Sequence, residues 1–131
     1  MLESGGWDTH SGQQGRLNAQ LRGIDALIGA LHSGLGDAWR DTLVIIATEF
    51  GRTVAVNGTG GTDHGTGALT MLLGGNLAGG GSVTGDWPGL GNGALYQGRD
   101  LMPTAALETL ISDALSHHYD IDLQRLYSRL F

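Results

Sequence analysis

The chain has 131 residues and a formal net charge of −6, from 13 Asp or Glu against 7 Lys or Arg, and no cysteine. That length suits one small domain. The acidic balance argues against nucleic acid, whose binding rests on phosphate neutralisation, and the missing thiols exclude disulfides and thiolate metal sites. No apolar run reaches the roughly 18 residues of a transmembrane helix, so no membrane partner is expected. The first ten residues, MLESGGWDTH, lack the charged and apolar regions of a signal peptide. Glycine is the outlier, at 24 residues, without a repeating period and gathered in the middle third, where loops belong.

Candidate site sequence begins by Gly5, before any strand or helix, so the chain reads as a piece of something longer. From Gln13 to about Leu35, apolar residues recur at spacings of three and four (Leu17, Leu21, Ile24, Leu27, Ile28, Leu31, Leu35). The spacing predicts an amphipathic helix, with Ser11 as N-cap and a stop at Gly34 and Gly36. Thr42–Thr48, TLVIIAT, reads as a strand buried on both faces, as in a parallel sheet under helices. Ala68–Leu73, ALTMLL, reads as a second, ended by Gly74 and Gly75. A Gly-rich excursion over about residues 74–98 holds the turn signal Asp86-Trp87-Pro88-Gly89 and a short edge strand at Ser82–Thr84. Pro103–His117 reads as a helix with Leu107, Leu110, Ile111, Ala114 and Leu115 on one face, and Asp122–Leu130 as a short terminal helix. Helix, strand, strand, helix predicts part of an α/β layered sheet, whose sites form beyond the carboxyl ends of strands.

Three clusters carry chemistry. In Gly5-Gly6-Trp7-Asp8-Thr9-His10, Asp8 and His10 are two apart, and in extended backbone they project to one face, where they can grip one cation. The alternative is a turn-capping Asp8 and a plain loop histidine. Glu49-Phe50-Gly51-Arg52 follows a strand directly: Glu49 suits a metal ligand or general base, and Arg52 suits an oxyanion. The alternative there is a Glu49–Arg52 ion pair that ties down a loop. In Gly60-Gly61-Thr62-Asp63-His64-Gly65-Thr66-Gly67, glycines on both sides let the backbone pass close to a ligand. Together Asp8, His10, Glu49, Asp63 and His64 are oxygen and nitrogen donors without sulfur, a set for zinc, manganese, iron or a calcium/magnesium-class ion. His32 is expected to be solvated, and His117 and His118 to complement a helix C-terminus. Trp39 and Trp87 read as packing residues, and Arg99 and Asp100 as residues that position a loop.

Taken in order, GGWDTH, EFGRT, GGTDHGTG, LLGG, GDWPGL and GRDL resemble the C-terminal part of the DUF1501 family over nearly the whole chain. That family is assigned to the alkaline-phosphatase and sulfatase-like metalloenzymes. The resemblance implies a single partial domain over residues 1–131: the C-terminal portion of a doubly wound sheet flanked by helices, with two metals on its carboxyl edge. It implies that Asp8, His10 and His64 bind one divalent metal, zinc or manganese in the first place, with calcium and magnesium open. Glu49 stands where relatives carry Asp-His-Gly, so Phe50 replaces an expected histidine and puts the second metal in doubt. Asp63 either compensates as a further ligand or orients His64. Full-length members are several times longer and often carry a twin-arginine export signal, so they imply an exported protein. The nucleophile lies in their N-terminal region.

The expected function is therefore that of a metal-dependent phosphate- or sulfate-ester hydrolase-like protein acting on small anionic esters. Glu49 and Arg52 are its candidate catalytic residues, and Asp8, His10, Asp63 and His64 its candidate ligands. The rival expectation is a non-catalytic metal-binding or assembly domain, or a truncated remnant. Uncovered sheet edges predict a homodimer or dependence on a missing N-terminal segment.

Overall fold

The three-and-four spacing does form a helix. In a computed structural model, which describes residues 1–77, 80–123, 125 and 128, α1 spans Gln13–Leu35. Leu17, Ile24, Ile28 and Leu31 are half-buried, while Leu21, Leu27 and Leu35 are exposed, so the packed stripe is narrower than the apolar one. The cap differs from expectation. Gly12, in the left-handed region at φ 54°, precedes the helix, and no side chain caps it. The first amides are instead satisfied from outside: Gly12 N–H donates to the Thr59 carbonyl (3.1 Å) and Gln13 N–H to that of Gly60 (2.9 Å). Ser11 is occupied in a bridge to Gly60. The helix ends at Gly36, φ 52°, as the sequence predicts. A 3₁₀ turn over Gly36–Asp41 follows and leads into β1, Leu43–Ile46.

The two apolar runs are strands, and they pair with each other, but antiparallel. β1 lies against β4 (Met71–Gly74) with Leu43 opposite Gly74 and Ile46 opposite Met71. The expectation of a parallel strand buried on both faces does not hold within these residues. The reason is in the connection. A parallel return needs a crossover, usually helical, whereas residues 47–70 hold no helix. They hold only β2 (Gly51–Arg52) and β3 (His64–Gly65), a second antiparallel pair. An apolar run alone does not encode strand direction. Every residue of β1 and β4 is half-buried, so each side chain gains less than the ~1.5–3 kcal/mol of full burial.

In the Gly-rich excursion, Ser82–Thr84 forms no strand, and the described residues add only a 3₁₀ turn at Asn92–Ala94. Trp87 is exposed. α2 spans Leu107–Tyr119, starting later than Pro103. Leu101 is held extended, its carbonyl accepting from Gly67 N–H and its own amide donating to Arg52, so the chain leaves this region before it can coil. The expected helix over residues 122–130 falls largely outside the described residues. No described helix is long and apolar enough to cross a membrane.

Helix and sheet are mixed, α/β in the general sense. Among the described residues no hydrophobic side chain is buried; Thr9, Thr53, Thr62, Asp100 and Ser112 are. Four of these five, all but Ser112, lie in loops outside the helices and named strands, so the best-packed part of the molecule is polar. Thr9 and Thr62 both donate their hydroxyls to the Gln13 side chain (3.2 and 2.7 Å). Thr53 accepts from the Asp63 amide (3.1 Å), and Asp63 returns its carbonyl to Thr53 N–H (3.0 Å).

Candidate metal centre

The loop layer brings the segment at residues 7–10 against the β2–β3 pair. Glycine makes this approach feasible at Gly61, where a Cβ would overlap the His10 carbonyl. In the β2–β3 register Arg52 faces His64. The result is a convergence on one atom. Asp8 Oδ1 lies 2.8 Å from His64 Nε2, 2.9 Å from His10 Nε2 and 3.4 Å from Arg52 Nη2. One ligand atom each from Asp8, His10 and His64 can be chosen so that all lie within 4.8 Å of one another. The Asp8–His10 spacing therefore does put both side chains on one site.

The donor set passes a simple test of fit. Tetrahedral zinc at about 2.0–2.1 Å from nitrogen or oxygen ligands needs donors only slightly further apart than these hydrogen-bonded contacts. A cation would sit at a point where three nitrogens already crowd one carboxylate oxygen. Two imidazoles and one carboxylate suit zinc or manganese better than calcium or magnesium, which favour all-oxygen shells. All three side chains are exposed, so solvent or substrate can fill remaining positions.

Electrostatics agree. The Asp8 carboxyl is held below its ordinary value, chiefly by the hydrogen bond with His64; desolvation opposes this, and the charges of His10, His64 and Arg52 each add a smaller lowering. Asp63 is lowered likewise, first by its bond to His10 and then by Asn57.

Asp63 sits beside His10 rather than its neighbour His64. Its Oδ1 is 3.0 Å from His10 Nδ1, and it lies outside the three-ligand group. Adjacent residues on extended backbone project to opposite faces, so the neighbour of His64 reaches His10 instead. Arg52 is mostly buried and bound to two carbonyls, Thr62 (2.7 Å) and Trp7 (2.5 Å), besides Asp8. Glu49 is exposed and lies outside the three-residue group, and among the described residues no Glu49–Arg52 ion pair is present. His32 is exposed and stands edge-on to Trp39 at 5.2 Å, while His117 and His118 lie in the last turn of α2 and outside the three-residue group.

Two residues at the site were not assigned a role by the sequence. Phe50 stacks on His64, with ring centroids 4.3 Å apart and planes 12° from parallel, and Arg52 lies 4.8 Å from the same ring. Asn57 donates Nδ2–H to the His10 carbonyl and to Asp63 Oδ1, both at 3.0 Å. Its Oδ1 accepts from the amides of Thr59 and Gly61 and from the Thr59 hydroxyl. The Asn57-Gly58 pair is a turn signal, and a turn is all that it advertised.

No curated protein and no solved structure matches the chain significantly. The family model described as "Protein of unknown function (DUF1501)" matches residues 1–129, and with nearly every residue and all three clusters inside that match, the chain belongs to the DUF1501 family.

Proposed function

We propose that the chain is the metal-binding C-terminal portion of a phosphate- or sulfate-ester hydrolase-like protein with an alkaline-phosphatase-like sheet. The observation that carries this reading is the meeting of Asp8, His10 and His64, side chains up to 56 residues apart, on a single carboxylate oxygen. In this reading those three hold one divalent ion, zinc or manganese. Once bound, the ion supplies positive charge that polarises a phosphoryl or sulfuryl oxygen. Arg52, fixed beside Asp8, adds a permanent cation where an anionic ester would lie. Glu49 offers a free carboxylate after β1 for base or ligand duty. A second reading, a metal-binding or assembly domain without turnover, is favoured by Phe50: it stacks on His64 at the position where the resemblance places a further histidine ligand.

The test is metal content by elemental mass spectrometry on the untagged chain, before and after incubation with zinc or manganese. About one equivalent is expected in the wild type and in His118→Ala, and loss in His64→Ala. Equal retention in both variants would end the shared-site model. A loaded chain inert toward aryl phosphates and aryl sulfates would favour the second reading.

A further inference from the structure

His10 is gripped at both ring nitrogens. Nε2 faces Asp8 Oδ1 at 2.9 Å and Nδ1 faces Asp63 Oδ1 at 3.0 Å. The two nitrogens of an imidazole point in divergent directions, so a carboxylate on Nδ1 stands on the far side of the ring from an ion on Nε2. A neutral imidazole has one proton to give. Asp8 Oδ1 already faces His64 Nε2 at 2.8 Å and Arg52 Nη2 at 3.4 Å. A third donor there would exceed the two lone pairs of one oxygen, whereas Asp63 Oδ1 has room for His10 beside Asn57.

We infer that Asp63 is a positioning residue for His10 rather than a ligand: it accepts the Nδ1 proton, fixes the tautomer that leaves Nε2 free for a cation, and is itself held by Asn57. Asn57 makes this grip work in a solvent-facing place. Asp63 and His10 have side chains 58% and 46% exposed, and water competes for a lone exposed pair. Asn57 holds the Asp63 carboxylate and the His10 backbone carbonyl with one amide group. Its oxygen is anchored by the Thr59 and Gly61 amides, so the group cannot rotate without breaking the turn. Both ends of His10 are thus referred to one rigid point. His64 is oriented by another device, the face of Phe50.

The inference rests on the metal-binding reading for its purpose, and its test does not. The first measurement is the His10 tautomer in the metal-free chain, by long-range proton–nitrogen NMR at a pH where its own nitrogen shifts report a neutral ring. The wild type is expected to show Nδ1–H, Asp63→Ala to switch to Nε2–H, and Asp63→Asn, which keeps an acceptor oxygen, to restore Nδ1–H. Nε2–H in the wild type, or Nδ1–H in wild type and Asp63→Ala alike, overturns the inference whether or not the chain binds zinc.

The second measurement is zinc affinity by competition with a chromophoric chelator. Asp63→Ala is expected to weaken zinc about 10–100-fold, the usual effect of losing an orienting partner, with recovery in Asp63→Asn. Complete loss in both variants would make Asp63 a ligand and refute its positioning role. Asn57→Asp keeps the oxygen that accepts from Thr59 and Gly61 but removes the donor. It is expected to weaken zinc about 10-fold or more while the Thr59 and Gly61 amide shifts stay in place. Unchanged affinity would remove Asn57 from the device. A wild type that binds no zinc would defeat the proposed function and leave the tautomer result to decide the inference.

Discussion

Arg52 uses its guanidinium in three directions, and the distances rank them. The Asp8 contact, 3.4 Å to a carboxylate 57% exposed, is a long surface ion pair worth roughly 0–1 kcal/mol. The bonds to the Trp7 and Thr62 carbonyls are short, and hydrogen bonds from charged groups contribute about 1.5–3 kcal/mol each. The side chain is therefore first a strut between the residue 7–10 segment and the β2–β3 pair, and only second a charge at the site. Arg52→Ala is expected to cost about 2–4 kcal/mol by urea titration, with zinc affinity falling as the strands of the site separate. Arg52→Lys keeps the charge but not the fork, and is expected to recover less than half of that stability. Full recovery by lysine would show that charge alone matters. The cluster residues Asp8, His10 and His64 were legible in the sequence because their chemistry is written in residue type. Phe50 was read as a missing histidine, since its stacking partner lies 14 positions away in a register no spacing reveals.

At the scale of elements, the loops are better organised than the strands. Asp100 shows why. It is 1% exposed, and accepts from Arg99 Nε (2.7 Å) and Nη2 (3.2 Å) and from the Thr66 hydroxyl (2.9 Å). Its backbone bridges Thr53 and Tyr96. The Arg99 bond, followed by Thr66, holds its carboxyl below the ordinary 3.8, against burial. A carboxyl lowered by folding contributes stability that is complete above its unfolded value and fades as pH falls through the folded one. Stability should therefore hold above about pH 4 and decline below it. In Asp100→Asn, stability near neutral pH should drop, and its pH curve should converge on the wild type in acid. Parallel curves from pH 2 to 7 in urea titrations would show that Asp100 is not the sensor. The helices were legible: α1 matches its expected span, because a 3.6-residue period over six turns has no rival reading. β1 and β4 were legible as strands but not in direction, and α2 began later than Pro103 suggested, because backbone ties at Leu101 are long-range and leave no trace in local pattern.

Across the whole molecule, apolar burial is thin. Both faces of the β1–β4 pair are half-covered, and no described hydrophobic side chain is fully buried. An isolated two-stranded pair is at best marginal in water, so the hydrogen-bonded loop layer carries an unusual share of the specificity. Sequence reading placed the sheet at the centre because β-branched runs ordinarily mark cores; here Thr9, Thr62 and Asp100 occupy the protected positions instead. The ends of α1 carry a further consequence, one of timing. The amides of Gly12 and Gln13 bond to Thr59 and Gly60, and the site pairs residues 44, 53 and 56 positions apart. Helical turns close within about a microsecond, whereas closure entropy grows with each doubling of the loop by about 0.6 kcal/mol before any contact compensates it. Refolding should thus protect the interior amides of α1 in an early phase and those of Gly12 and Gln13 in a later one. Pulse-labelled hydrogen exchange reads both, and simultaneous protection would contradict this order. The chain then assembles the Asp8–His10–His64 cluster last, and during most of its folding the two histidines are strangers.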